Sequence, residues 1–334
     1  MLKVMTKLCF LTILLAFSVW SVPVPIILDT DIGPDYDDVG AMALLHELAN
    51  RGEAQILGVV ASNRHRDVVP VIEILNRYYG RSDLSVAATK SPNAPELSTT
   101  CKVRWPQELI RKYGRGRYAD TAAAPAALGF YRRTLAAAAD GSVTICTIGF
   151  LDNVAELLDS PEDDLSPLSG RELVAKKVRR LVCMAGEIPA GYEFNICRSP
   201  APAQRVFADW PTEIVVSGWE LGETIRTGLR IIAVPDNGNP VRDAFAIARS
   251  QDGRDRNGRQ SWDETAVYFA IRGEDGLFVA ERGRMSVTTK RGDNVWVADP
   301  NGPHLALKRA RSSASIARAL EDLMITKSKG VKND

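Results

Sequence analysis

An acidic cluster near the start of the chain has the residue types of a cation site; within ten residues lie Asp29, Asp31, Asp35, Asp37 and Asp38. Carboxylates this close together repel one another unless a positive group holds them. Asp31 and Asp38 could both reach one cation across the turn at Gly33. Hard cations such as Ca²⁺ take six to eight oxygen ligands from carboxylates, carbonyls and water. Two or three aspartates with a backbone carbonyl therefore favour calcium over zinc.

Other interpretations of the same stretch fit it less well. It could be a solvated acidic loop in which Asp37 or Asp38 only caps the helix that follows, but five carboxylates exceed what capping requires. An EF-hand loop needs Gly at its sixth position and Glu at its twelfth. Counted from Asp29, Gly33 is fifth and Gly40 is twelfth, and the sequence contains no phosphate-binding GxxxxGK[ST] loop.

The elements that must position these aspartates are apolar strands that alternate with helical patterns. Strands are predicted at Val24–Leu28, Ala54–Ser62, Leu84–Thr89, Ser142–Ile148, Arg179–Ala185 and Thr212–Ser217. Helices are predicted between them at Val39–Asn50, Val68–Tyr79, Ala119–Ala139, Leu151–Leu158 and Ala201–Ala208. Continuous apolar runs suit strands covered on both faces, and the strand–helix alternation predicts a doubly wound, mostly parallel α/β sheet flanked by helices.

The last third of the chain departs from this alternation. A helix at Thr265–Ile271 precedes a Gly-punctuated segment that we expect to be antiparallel, and a final helix lies near Ser312–Thr326. Because no internal repeat or long linker is visible, a single domain is predicted over residues 24–326, followed by a flexible tail at 327–334.

The N-terminus has the pattern of a signal peptide. Lys3 and Lys7 introduce the apolar run Leu8–Trp20, which is short for a membrane span. We therefore expect an exported protein, without residues 1–21 and without stable membrane association. The 42 basic and 41 acidic residues give a formal charge of +1, which offers no support for a nucleic-acid partner.

The cysteines do not indicate a zinc site, because none has a Cys/His spacing typical of one. Cys146 and Cys183 lie in apolar runs and are predicted to be buried free thiols. For Cys101 and Cys197, export permits disulfides, and their pairing is left open.

Polar residues cluster directly after the predicted strands. They are Asp29, Asp31, Asn63, Asp152, Asn153, Glu187, Glu193 and Asn195. In doubly wound sheets ligands bind beyond the carboxyl ends of the strands, so this distribution predicts a binding site along one edge of the sheet.

Five segments, in chain order, resemble motifs of the inosine-uridine-preferring nucleoside hydrolase family. They are ILDTDIGPDYDDVGA with its D-x-D-x-G and D-D elements, GVVASN (Gly58–Asn63), CTIGFLDNVAELL (Cys146–Leu158), GYEFN (Gly191–Asn195) and SWDETAV (Ser261–Val267). Each segment alone is a weak signal, but their order and their positions at strand ends and helix starts are specific. The resemblance covers most of the chain and implies the same open α/β fold.

The resemblance implies calcium-dependent cleavage of the N-glycosidic bond of a nucleoside or related ribosyl compound by water. It makes Asp31 both a calcium ligand and the general base. The other implied ligands are Asp38, the backbone carbonyl of Ile148, and Asp263. The residues implied to contact the substrate are Asp37, Asn63, Glu193, Asn195 and Trp262. A small-molecule substrate and a homo-oligomer are also implied.

The sequence departs from the usual family pattern in three places. Trp262 occupies the position where many members have a histidine that can protonate the leaving base, and an indole cannot act as a general acid at neutral pH. The loop from Gly186 to Glu193 is short and lacks a further asparagine toward the sugar. Two extra residues separate Gly33 from the D-D pair, and Asp35, which lies there, has no assignable partner.

These departures keep two alternatives open. One is a calcium-dependent ribose- or nucleoside-binding protein that has lost hydrolysis together with the acid. The other is a haloacid-dehalogenase-like phosphatase, because D-x-D after a first strand also marks that class, with the first aspartate as nucleophile. Asp37–Asp38 and the E-F-N segment argue against the phosphatase.

Overall fold

The computed structural model describes residues 22–98, 104–288 and 290–327. The predicted signal peptide, Cys101 and residues 328–334 of the predicted tail lie outside this part of the chain. The strands are β1 Val24–Thr30, β2 Ala54–Ala61, β3 Val86–Ala88, β4 Val143–Thr147, β5 Val178–Met184, β6 Ala190–Gly191, β7 Glu213–Ser217, β8 Arg226–Thr227, β9 Arg259–Gln260, β10 Phe278–Val287, β11 Asn294–Ala298 and β12 His304–Arg309.

Helices connect and cover these strands. They are α1 Asp37–Asn50, α2 Val68–Tyr78, α3 Trp105–Tyr113, α4 Ala127–Ala137, α5 Asp152–Asp159, α6 Gly170–Lys177, α7 Phe194–Arg198, α8 Pro200–Asp209, α9 Trp219–Gly222, α10 Leu229–Ala233, α11 Pro240–Gln251, α12 Trp262–Arg272 and α13 Ser313–Ile325. Within the described ranges, none of the helices has both the length and the apolar character that crossing a membrane requires.

Ten strands form one sheet in the order β3-β2-β1-β4-β5-β7-β12-β10-β11-β6. From β3 to β12 neighbouring strands are parallel, and β10, β11 and β6 add antiparallel pairs at the far edge. This arrangement confirms the predicted doubly wound, mostly parallel sheet and its antiparallel late segment. The strand order reverses between β1 and β4, which makes their carboxyl ends the expected position for a ligand.

The core lies on both faces of the sheet, as the continuous apolar strands predict. Ile26 and Leu28 of β1 belong to one buried cluster with α1, α2, α12 and α13. Ile27, which points to the other face, belongs to a second cluster with α4, α5, α6 and α8. Cys146 and Cys183 are buried free thiols, as predicted, and Cys197 is also free.

Several elements differ from the predictions for local physical reasons. The helix predicted at Ala119–Ala139 is divided into a 3₁₀ turn at Thr121–Ala123 and α4, because Ala124 precedes Pro125 and is extended. The sequence reading missed α11, although Asn239 accepts hydrogen bonds as its N-cap and Pro240 follows at the first helical position. Glu193 and Asn195 lie at the start of a short helix, α7, with Glu193 as its N-cap.

Candidate active site

The acidic loop joins β1 to α1 and places its aspartates inside the protein. Asp31 lies just after β1, and Asp37 and Asp38 occupy the first turn of α1. All three side chains are buried. The N-cap of α1 is Tyr36, whose side chain makes no capping hydrogen bond. The interpretation of Asp37 or Asp38 as a simple cap is therefore wrong, and their burial needs another explanation.

A cavity of about 400 Å³ opens at the carboxyl ends of β1 and β4. Seven of the sequence-predicted site residues line it, namely Asp31, Asp37, Ile148, Glu193, Asn195, Trp262 and Asp263. Asp38 and Asn63 do not line the cavity. Asp38 is fully buried, and Asn63 donates to the backbone carbonyls of Asp31 and Leu97 at 3.1 and 2.8 Å.

The loops after β1 and β4 touch directly at the cavity. The Ile148 backbone N–H donates to the Asp29 carbonyl at 2.7 Å, which extends the β1–β4 pairing by one step. Gly149 permits this approach, because a Cβ there would come within 2.5 Å of the Asp31 backbone nitrogen. No described donor reaches the Ile148 carbonyl oxygen, so it is available to a ligand.

The buried carboxylates raise one another's pKa values. Burial raises the pKa of Asp31 well above its usual range, and the charges of Asp38, Asp35 and Asp37 raise it further. Burial and the neighbouring aspartates likewise raise the pKa values of Asp38 and Asp263. Such a cluster is costly without a compensating positive charge.

The donor set fits a hard cation. Thr30 donates to Asp38 Oδ1, whereas Asp38 Oδ2 is buried without a hydrogen-bond partner. Carboxylate oxygens of Asp35, Asp37 and Asp38 lie within 4.8 Å of one another. Carboxylates and a free backbone carbonyl are the ligands that Ca²⁺ and Mg²⁺ prefer.

Arg259 is a site residue that the sequence reading missed. Its Nε and Nη2 donate to Asp37 Oδ1 at 3.0 and 2.8 Å, and Nη2 also donates to Asp35. This salt bridge supplies the partner that Asp35 lacked. Its guanidinium lies 5.4 Å from the Tyr36 ring centroid and 5.1 Å from that of Trp262. Because Arg259 belongs to a two-residue strand outside every matched motif, only the unpaired Asp35 signalled that a nearby cation was needed.

Trp262 is held by the chain around it. Its indole N–H donates to the Trp219 carbonyl at 2.7 Å, and the two indole rings lie 6.2 Å apart. Gly222 makes room for it, because a Cβ there would come within 2.6 Å of Trp262. None of the three histidines lines the cavity, since His46 and His304 are buried elsewhere and His65 lies in the loop after β2.

Glu193 and Asn195 also line the cavity, together with Met184 and Phe194. The Glu193 carboxylate accepts hydrogen bonds from the backbone N–H groups of Gly186, Asn195 and Ile196, which oppose the rise in its pKa caused by burial. Asn195 Nδ2 donates to the Met184 carbonyl at 3.0 Å. Its Oδ1 accepts a hydrogen bond from no described residue.

Asp29 supports the loop from behind. Tyr131 donates to Asp29 Oδ2 at 2.8 Å and Asn153 Nδ2 donates to the same oxygen at 3.0 Å. Burial raises the pKa of Asp29 to about 7 against these hydrogen bonds. Asp29 is not among the residues that line the cavity, so it acts on the site only through the loop that it holds.

This fold and cavity define a class of α/β enzymes with an acidic centre at the switch point of the sheet. The family model described as inosine-uridine preferring nucleoside hydrolase matches residues 26–323, and the chain belongs to this family. It is therefore a hydrolase that acts on N-glycosyl compounds, as the resemblance implied. The family is metal-dependent, and the acidic cluster provides ligands for a metal.

Solved structures of nucleoside hydrolases share the fold at low sequence identity. A plant nucleoside hydrolase matches with a TM-score of 0.66 and 18% identity, covering 92% of this chain and 99% of its own. A purine-preferring ribonucleoside hydrolase from Gardnerella vaginalis matches with a TM-score of 0.67 and 16% identity over 91% and 98%. An inosine-uridine preferring nucleoside hydrolase from Bacillus anthracis matches with 0.65 and 15% over 90% and 99%. A comparison with curated proteins gave no match.

Proposed function

We propose that this protein is a calcium-dependent hydrolase of a ribonucleoside or a related ribosyl compound. The observation that carries the proposal is the buried Asp38 Oδ2, which has no hydrogen-bond partner among the described residues, in a cluster where the charges of Asp38 and Asp31 both raise the pKa of Asp263. A buried carboxylate oxygen without a donor is stabilised when a cation binds it. Asp31, Asp38, Asp263 and the Ile148 carbonyl would hold the ion.

Hydrolysis requires water to attack the anomeric carbon while the bond to the base breaks. When bound, calcium would balance the carboxylate charge and lower the pKa of the attacking water. Asp31 lines the cavity and is the general base that accepts the proton of this water. The electron pair of the C–N bond leaves with the base, and the sugar passes through an oxocarbenium-like state.

The remaining polar groups orient the sugar. Asp37 Oδ1 accepts hydrogen bonds from Arg259, and Asp37 Oδ2 accepts a hydrogen bond from a ribose hydroxyl of the substrate. Asn195 offers Oδ1 on the same cavity wall as Glu193, whose buried anionic carboxylate favours a positive sugar. Asn63 acts on this site through the Asp31 carbonyl, to which it donates.

The decisive experiment is a nucleoside panel with calcium and with chelator. We expect release of reducing sugar from at least one ribonucleoside in calcium, and its loss when the ion is removed and restoration when it is returned. Turnover that persists unchanged in chelator would refute calcium dependence. Turnover of no nucleoside by metal-loaded protein would refute hydrolysis.

A second function, calcium-dependent binding without hydrolysis, is favoured by one observation. No histidine lines the cavity, and the Trp262 N–H is already bonded to Trp219. This alternative expects a nucleoside to raise the melting temperature only in calcium, with no product after long incubation. The family assignment removes the phosphatase alternative from consideration.

Export and oligomeric state are further parts of the proposal. Residues 1–21 carry the charge and hydropathy pattern of a signal peptide. N-terminal sequencing of protein recovered outside the cytoplasm should begin near residue 22. The resemblance also implies a homo-oligomer, so light scattering should give a mass greater than that of one subunit.

A further inference from the structure

Among the described residues, Arg259 is the largely buried cation on the side of the cavity next to Trp262. The Arg259 side chain is 12% exposed and lies between the Tyr36 and Trp262 rings. Nε and Nη2 are used by Asp35 and Asp37, whereas Nη1 donates to no described residue. Arg259 therefore has fixed geometry and unused N–H donors at a cavity wall that it lines.

Other donors near Trp262 are less suited to meet a ligand. The Trp262 N–H is occupied by the Trp219 carbonyl. Arg254 also lines the cavity, but its side chain is 82% exposed and pairs with Asp252. A desolvated donor held by its surroundings stabilises developing charge far better than a mobile one in water.

We propose that Arg259 stabilises the leaving group, with Nη1 donating a hydrogen bond to the departing base beside Trp262. The inference rests on the proposed hydrolase function and specifies what replaces the missing acid. When the C–N bond breaks, its electron pair remains on the base nitrogen, and the resulting negative charge is met by the guanidinium. Arg259 stays protonated throughout, so the proton that neutralises the base comes from water.

The acidic loop is built around this arginine. Asp35 and Tyr36 both lie in the part of the loop that is longer than usual, and both contact Arg259. Tyr36 is fixed in turn, because its hydroxyl donates to Asp255 Oδ2 at 2.8 Å. The lengthened loop and the tryptophan at position 262 therefore meet at one side chain. The contacts of Arg259 therefore account for two departures from the family pattern, the longer acidic loop and Trp262.

The test compares leaving groups in the calcium-loaded protein. Inosine releases a base that gains from a hydrogen bond, whereas p-nitrophenyl riboside releases a phenolate that leaves without assistance. We expect R259Q to lower kcat/KM for inosine by about 100-fold or more, the loss typical for one such donor. For p-nitrophenyl riboside we expect a loss of less than about tenfold, which is the residual cost of disturbing Asp37.

Two further variants keep the comparison interpretable. R259K retains the positive charge near Asp37 but lacks the planar fork, so the same selective loss should appear at smaller size even if R259Q folds poorly. R272Q is the matched control: Arg272 forms a bidentate pair with Glu53 and contacts the Tyr268 ring, but it lies at the far end of α12. It should lose stability without changing the ratio of the two substrates.

Equal losses for both substrates in the Arg259 variants, or no loss, would overturn the assignment and leave the hydrolase function standing. Wild-type protein that in calcium cleaves neither p-nitrophenyl riboside nor any nucleoside of the panel would overturn the hydrolase function and the Arg259 assignment together. Melting temperatures and calcium affinity, measured in parallel, should remain close to wild type for R259K.

Discussion

Gly149 lies against the backbone of Asp31 so closely that a single methyl group would not fit between them. This contact joins the loops after β1 and β4, which carry the predicted base and one predicted metal ligand. The separation of the two loops is therefore set by the absence of a side chain at one position.

A methyl group at position 149 should disrupt the centre without removing any functional side chain. We expect G149A to lose about 1–3 kcal/mol of stability, because the backbone must shift, and to lose most calcium affinity and activity. Isothermal titration and thermal unfolding measure both effects. G129A, in α4, meets nothing within 4 Å and should be neutral or stabilising by up to about 1 kcal/mol. Normal calcium binding by G149A would contradict the role of this contact.

Removing one carboxylate should have opposite effects with and without the ion. We expect D38N to raise the melting temperature of metal-free protein, because one buried repelling charge disappears, and to abolish the further rise that calcium produces. The exposed D83N serves as the control and should keep the calcium-induced rise. A calcium shift of wild-type size in D38N would remove Asp38 from the ligand set.

Asp37 should decide whether the enzyme distinguishes ribose from deoxyribose. If Oδ2 binds a ribose hydroxyl, wild-type protein should prefer ribonucleosides by 100-fold or more, roughly the cost of leaving a buried polar group unpaired. We expect D37A to lower activity and to erase most of this preference, whereas D35N, which alters only the other partner of Arg259, should retain it. Steady-state kinetics on matched ribo- and deoxyribonucleosides provide the ratio.

A buried histidine should make stability depend on pH in mildly acidic solution. Burial lowers the pKa of His304 to about 4 from its usual 6.5, so the unfolded chain binds more protons between these pH values. Its contribution is therefore complete above about pH 6.5 and is lost as pH falls toward 4, by up to about 3 kcal/mol. Denaturant titrations should show a smaller loss in H304Q.

The sequence predicted what depends on local pattern and missed what depends on tertiary contact. Apolar runs predicted the parallel strands, and the motif order brought seven predicted residues to one cavity. Arg259 escaped notice because its partners, Asp35 and Asp37, are more than 220 residues away in sequence. The orientation of the Asn63 side chain could not be predicted from sequence either, because its amide donates hydrogen bonds to the backbone carbonyls of Asp31 and Leu97.

The Ile148 carbonyl is a proposed calcium ligand that replacement of a side chain cannot remove. Its position follows from the hydrogen bond between the Ile148 N–H and the Asp29 carbonyl, and any amino acid except proline at residue 148 would present the same oxygen. A scan that replaces side chains one by one would test the aspartates and would not detect this proposed ligand. Only a change in the path of the chain, as at Gly149, would expose its contribution.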